Sequence, residues 1–205
     1  MADQFPDYKI HLQRLMDAFT RSDKIKAIAV PKGNSYLTTD EVCCIQKGVF
    51  SVYMNQGERL LAYYEGQAII GLTNFYSEPV QFYIKPGKTC TISTLPTEEA
   101  RKIIKEKDLY QSIGYVLANN TTAFFHMYEK VISPNNYTFI RLLIMDLNRA
   151  SDAIKDSITV AAYIIKRSGL SRSYVMMVLS ELRKGGYITM DDGKLISITS
   201  LPERF

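Results

Sequence analysis

The sequence predicts an α+β chain: a strand-rich N-terminal half, a long helix, and a C-terminal pair of helices followed by a hairpin. Three observations carry this. Between Lys24 and Thr94, short apolar runs alternate with turn residues at intervals of about 8–12 residues. From Leu109 to Ile132, apolar residues recur at steps of four and three. Beyond Thr159, two amphipathic segments separated by Ser168-Gly169-Leu170 lead into an Asp-Gly turn between apolar runs.

The first element is a helix over 7–22. Ile10, Leu12, Leu15, Met16 and Phe19 share one face at helical spacing. Pro6 stands near the start, where a missing N–H costs little, and Pro31 and Gly33 end the pattern. The strand runs are IKAIAV, SYLTT, VCCIQ, VFSVYM, RLLAYY, AII, VQFYI and TCTIST, which read as an all-β sandwich or roll. Asn55-Gln56-Gly57-Glu58 predicts a hairpin turn, because glycine supplies the positive φ that such turns need.

Pro96 with Thr97-Glu98-Glu99 opens a helix of about ten residues, with proline in the first turn and acids at the positive dipole end. A longer helix covers 109–132, about 36 Å at 1.5 Å per residue. Its seam of Ile113, Leu117, Asn120, Phe124, Met127 and Val131 is heptad-like with one polar member. It reads as a homodimerisation helix in which Asn120 fixes register at some cost in stability. The alternative is a helix packed on its own roll. Ser133-Pro134 ends it, and a further helix over 137–149 carries Phe139, Leu142, Leu143, Met145 and Leu147.

A helix over 159–167 comes next. Ser171 is placed to cap a second one that runs to Lys184, with Tyr174, Val175, Val178, Leu179 and Leu182 at i, i+3, i+4 spacing. Gly185-Gly186 stops it. Asp192-Gly193 between Tyr187–Met190 and Leu195–Ile198 is a strong hairpin signal. Helix, turn, helix, hairpin is the winged helix-turn-helix order. Between Ser157 and Ile188, Lys166, Arg167, Arg172, Arg183 and Lys184 are opposed by Glu181 alone, so the local surplus equals the net charge of the entire chain, +4. That concentration draws a phosphate backbone through counterion release.

The second helix turns Val175, Val178, Leu179 and Leu182 inward and leaves Arg172, Ser173, Met176, Met177 and Ser180 outward. Arg172 can bond guanine bidentately, Ser173 can bond a base or a phosphate, and Met177 can meet a thymine methyl. Tyr174 either packs inward or reaches a phosphate. Ser171 can bond phosphate while capping the helix. Arg183 and Lys184 either contact DNA or only complement the negative helix end. Lys194, on the hairpin, completes the DNA-binding candidates.

Composition limits the function classes. Hydrophobic residues at 46% and charged residues at 22% of 205 residues exclude wholesale disorder. Three cysteines make no disulfide framework and fit a reducing compartment. No apolar run approaches the ~18–20 residues of a membrane span, and MADQFPDYKIH lacks a basic-then-apolar leader. A soluble cytoplasmic protein is expected. CxxC, HExxH, GxSxG, P-loop and GxGxxG patterns are absent, so neither an enzyme nor a metal centre is expected.

Two stretches carry a resemblance. QKGVFSVYMNQGERLLAYYEGQAIIGL, Gln46–Leu72, is similar to the Lys-Gly, strand, turn, strand and Gly-x-x-Ile-Gly run in the sensor roll of the Crp/Fnr superfamily of bacterial transcription regulators. GLSRSYVMMVLSELRKGGYI, Gly169–Ile188, is similar to that family's recognition helix. The resemblance covers nearly the whole chain. It implies a cyclic-nucleotide-binding-like β-roll over 1–108, a dimerisation helix over 109–132 and a winged helix DNA-binding domain over 133–205. It also implies a homodimer on pseudo-palindromic duplex DNA, with Arg172, Ser173 and Tyr174 approaching bases. The family's later arginine on this helix falls on Met177. Within the superfamily, the size and these stretches resemble an enterobacterial group of regulators of hydrogen-peroxide resistance, which implies a role in oxidative-stress defence.

Effectors follow from what the roll carries. Cyclic-nucleotide binders of the family hold ribose and phosphate with a Gly-Glu pair and a later Arg followed by Ser or Thr. Here Leu72 follows Gly71, and no arginine occurs between Arg59 and Arg101. A buried phosphate without a guanidinium is an uncompensated charge that costs several kcal/mol, so no cyclic-nucleotide binding is expected. An iron–sulfur cluster needs about four thiolates, against Cys43, Cys44 and Cys90. Strand alternation predicts that Cys43 and Cys44 divide into one core and one exposed thiol. The three cysteines are either small buried hydrophobes or oxidant-sensing thiols, which need exposure and a lowered pKa. Haem on His126, beside Met127, or on His11 stays open, as does an unknown small effector in an apolar pocket. The function expected is a sequence-specific, cyclic-nucleotide-independent DNA-binding regulator. The alternative is a ligand- or redox-sensing protein acting through protein partners, its winged helix not touching DNA.

Overall fold

The computed structural model describes residues 6–31, 33–54, 59–87 and 89–204. The chain divides into two compact units, 1–57 with 62–125 and 58–61 with 126–205.

The first unit opens with α1, Pro6–Thr20. Leu12, Leu15, Met16 and Phe19 are buried as their spacing requires. Ile10 is not: it is 54% exposed, because two residues, about 200° at 3.6 residues per turn, separate it from Leu12. His11 enters the core instead. The strands are β1 Lys26–Ile28, β2 Tyr36–Leu37, β3 Glu41–Lys47, β4 Val49–Met54, β5 Arg59–Glu65, β6 Ala68–Ile70, β7 Tyr83–Pro86 and β8 Thr91–Pro96. One sheet has the order β1-β8-β3-β6 and the other β2-β7-β4-β5. β8 runs antiparallel to β1 and β3, and β7 antiparallel to β2 and β4. The Asn55–Glu58 turn lies outside the described residues.

β7 starts later than the apolar run VQFYI predicts. The amides of Val80 and Phe82 donate to side chains, Asn74 Oδ1 at 3.2 Å and Thr38 Oγ1 at 2.9 Å. Those bonds replace a strand ladder. Gly48, at φ +94°, lets β3 turn into β4; a Cβ there would fall 2.7 Å from the Cα of Cys90.

α2, Thr97–Glu106, follows β8 with Pro96 at its cap position. The unit's core gathers Leu12, Leu15 and Phe19 of α1, Val42 and Cys44 of β3, Leu95, and Ile103 and Ile104 of α2. α3, Tyr110–Val131, contributes Ile113 and Val116 to the same core.

The second unit contains α4 Asn136–Arg149, α5 Asp152–Ser157, α6 Val160–Ser168, α7 Arg172–Lys184, and the hairpin of β9 Ile188–Asp191 and β10 Lys194–Ile198. α5 has no counterpart in the sequence reading, since six residues carry too little periodicity to register. α4 to α7 each open on a side chain that accepts a backbone N–H: Asn135 from Thr138, Ser151 from Ile154, Thr159 from Ala162 and Ser171 from Tyr174. Gly169, at φ +71°, closes α6. Ile140, Ile144, Val160, Ile164, Val175, Val178, Leu182 and Leu195 are buried and form this unit's interior. Lys130 pairs with Asp146 of α4 at 2.5 Å, with both side chains largely buried.

Candidate nucleic-acid interface

α7 is the second helix of the helix-turn-helix, and its two faces are sharply divided. Val175, Val178, Leu179 and Leu182 are at most 2% exposed. At 3.6 residues per turn, Ser173, Met177, Ser180 and Lys184 form the crest opposite that buried stripe. Arg172, Met176 and Arg183 line one shoulder. All seven are exposed. Thirteen residues give about 20 Å of rod at 1.5 Å per residue, sufficient to cross a major groove about 12 Å wide. Ser171 Oγ accepts the Tyr174 amide at 3.3 Å and lies 3.3 Å from Ser173 Oγ, so two hydroxyls stand together at the helix start. Tyr174 is half-buried at the edge of the face.

The basic residues differ in what already holds them. Lys184 pairs with Glu181 at 2.8 Å. Arg167 donates to the Tyr163 hydroxyl at 2.7 Å and lies over its ring, 5.3 Å from the centroid. Lys194 donates to the Asp156 carbonyl at 2.9 Å, which ties to its own unit the candidate that was to reach DNA. Arg172 and Arg183 engage no partner among the described residues. Eleven residues apart, they stand on the same side of the helix, about 16 Å from each other. The hairpin tip carries two exposed carboxylates, Asp191 and Asp192.

The sequence assigned no contact to Met176 or Ser180, although helical spacing puts both on the face. It also passed over the acidic hairpin tip, whose signal was simply the two adjacent aspartates.

The α3 seam divides along its length. Ile113 is 3% exposed and Leu117 packs beside it in the first unit's core. Ile113 is therefore not open to a second copy, as the seam reading requires, because α3 begins against its own unit; Leu117 is partly buried against the same core. Asn120, Phe124 and Val131 are exposed and Met127 is half-buried. Phe125, Tyr128 and Ile132, unassigned in the sequence reading, are exposed there as well.

Cys43 and Cys44 do not divide into one core and one exposed thiol. Both are fully buried, because β3 is an interior strand covered on both faces. Burial pushes both thiols up, Cys44 to about 12. Cys90 is half-buried and is also raised by burial. None has the lowered pKa of a reactive thiol. His11 is buried, 2.9 Å from Ser112 Oγ and stacked on Tyr115 at 4.1 Å. His126 is exposed, 3.3 Å from Glu129. Among the described residues no cluster of three or more His, Cys, Asp or Glu is placed to hold a metal ion. No described helix is long and apolar enough to cross a membrane.

Residues 136–203 match the winged helix-turn-helix DNA-binding family. The chain is 28% identical over 173 residues to the "Inhibitor of hydrogen peroxide resistance" of Escherichia coli K12, covering 84% of this chain and 83% of that protein. Its structure is similar to that of the c-di-GMP-responsive global regulator CLP of Xanthomonas campestris, with a TM-score of 0.70 at 10% identity over 94% of this chain and 100% of the other. It is also similar to a transcriptional regulator of the Crp/Fnr family from Eubacterium rectale, with a TM-score of 0.67 at 15% identity over 96% of this chain and 94% of the other. At these identities the solved structures establish the fold. The chain has the fold of the Crp/Fnr transcription regulators and carries a winged helix-turn-helix DNA-binding domain at its C-terminal end.

Proposed function

We propose that this protein is a non-catalytic transcription regulator that binds specific duplex DNA as a homodimer, without a cyclic nucleotide, in the response to peroxide. The observation that carries the reading is the exposed face of α7: the unengaged Arg172 at its first turn, beside the paired hydroxyls of Ser171 and Ser173. The first turn of a recognition helix is the part that meets base edges. There a guanidinium selects guanine through two parallel bonds. Arg183, at the other end of the same side, would meet a phosphate that sets the helix's register.

The exposed half of α3 supports a twofold dimer. Phe124, Tyr128 and Val131 are each more than half exposed and share the face of Asn120. A twofold axis along them would set two copies of α7 on half-sites about 34 Å apart.

Independence of cyclic nucleotides rests on the roll. Arg101, the guanidinium that reaches the turn after β6, donates to the carbonyls of Asn74 and Phe75 at 3.1 and 3.0 Å and pairs with Glu98 at 2.6 Å. It is engaged with protein oxygens, so a nucleotide phosphate there would lack its counter-charge. The peroxide response is suggested by the name of the Escherichia coli relative.

Selection of bound fragments from a random duplex pool tests the reading. One pseudo-palindromic sequence should emerge, with affinity that falls as salt rises. Arg172→Ala should lose about 1–3 kcal/mol on that sequence and relax preference at one base pair. Equal binding to scrambled competitor at low ionic strength would defeat it.

A further inference from the structure

We propose that Met176 and Met177 are an oxidant-modification site on the DNA-reading face: a peroxide converts their thioethers to sulfoxides, and the helix then releases its operator. The part of this that concerns DNA rests on the function proposed above.

The observations are positional. Met176 and Met177 are 46% and 48% exposed, whereas Met16 is buried and Met54, on β4, stands at 36%. Met127, Met145 and Met190 are half-buried. Among the described methionines, then, the two most exposed residues are neighbours, and both lie on α7. Methionine is normally a core-filling side chain. Here a pair stands on a helix surface otherwise made of charged residues and serine, where hydration gains nothing from them. An apolar contact in the groove, such as the methyl group of thymine, accounts for thioethers at that place.

Cys43 and Cys44 are fully buried and burial holds their protons on, so the thiolate that peroxide attacks is scarcely populated. Cys90 is half-buried and burial raises its thiol as well. A thioether carries no proton to lose and needs only access.

The chemistry closes without a further reactant. A lone pair of the methionine sulfur attacks one peroxide oxygen; the S–O bond forms as the O–O bond breaks. The departing hydroxide takes the remaining proton and leaves as water. Sulfur is oxidised by two electrons and the peroxide is reduced by two. The product is polar and chiral. Its oxygen is an acceptor only, directed at a groove and backbone rich in acceptors, so the apolar contact is replaced by an unpaired polar group.

The test uses the whole protein and its selected operator. Reduced protein is treated with hydrogen peroxide, and sulfoxides are mapped by peptide mass spectrometry while operator affinity is measured on the same samples. Sulfoxide should appear first at Met176 and Met177, and affinity should fall about tenfold or more, as for a lost base contact. Methionine sulfoxide reductases of both stereospecificities should restore it. A Met176→Leu, Met177→Leu variant, compared with its own untreated affinity, should lose the response, and Met54→Leu should keep it. Failure of the reduced protein to prefer any duplex sinks the DNA-binding reading. Preferred binding that is unchanged once both sulfoxides are present, or oxidation that spares these two residues, sinks the present proposal alone.

Discussion

The amide of Val160 donates to the carbonyl of Gly193 across 2.9 Å. Val160 is the first residue of α6 and Gly193 lies in the tight turn of the hairpin, so the wing supplies an acceptor to one of the orphan donors at a helix start. Thr159 satisfies another by accepting the Ala162 amide. Asp192 and Gly193 both have positive φ, +43° and +73°, the pattern of a type I′ turn. A Cβ at Gly193 would sit 3.1 Å from Thr159 Cγ2. Gly193→Ala should therefore destabilise the protein by about 1–2 kcal/mol through strain at positive φ, read as a lower urea midpoint. An unaltered midpoint would mean the turn is free to adjust.

The hairpin tip makes a second prediction. Asp191 and Asp192 repel phosphate, so replacing both by Asn should tighten binding to any duplex by about two- to tenfold at low salt, with the gain shrinking as salt screens it. Tightening of the same size at all ionic strengths would show that the tip acts by shape and not by charge.

Burial of Cys44 sets a third. Its thiol is pushed from the ordinary 9.0 up to about 12. A folded pKa above the unfolded one favours the protonated group, so the contribution is fully present below about pH 9 and is lost as pH rises toward 12. Unfolding free energy should fall across that window with up to about 1.4 kcal/mol per pH unit from one proton. Cys44→Ala should show the shallower slope; parallel slopes would remove the thiol from the account.

The upper half of α3 provides the fourth. In the proposed dimer, Phe124→Lys would place a charge in the apolar stripe of each copy. Burying one such ring stabilises by about 1.5–3 kcal/mol, and two are lost per dimer, so dissociation should be about a hundredfold easier or more. Light scattering should report the mass of one chain where wild type reports two. A variant that stays dimeric would place the interface elsewhere.

What the sequence disclosed follows the range over which each signal acts. Ser171 as a cap, Gly185-Gly186 as a stop and Asp192-Gly193 as a turn are decided by neighbours within four residues, and each stands where expected. The strand over Val80–Phe82 was misread because Asn74 and Thr38 take its amides, and nothing local announces a partner 44 residues away. Cys43 and Cys44 were misread for a related reason: alternation gives the two faces of a strand, but only tertiary packing decides that both are covered. The seam spacing on α3 was regular from end to end, while the point at which Ile113 and Leu117 give way to exposed positions is set by where the roll stops. On α7, spacing alone sorted inside from outside. It could not show that Lys184, Arg167 and Lys194 are already held by Glu181, Tyr163 and Asp156.

Those internal attachments bear on how such a protein would find its targets. Of the three, only the pairing of Lys184 with Glu181 cancels a positive charge; Arg167 and Lys194 bond neutral oxygens and keep theirs. A DNA-binding head of this kind would retain most of its ionic, sequence-blind hold on arbitrary chromosome. Travel between sites would then proceed largely by slides along the duplex, with excursions through solution growing as salt rises.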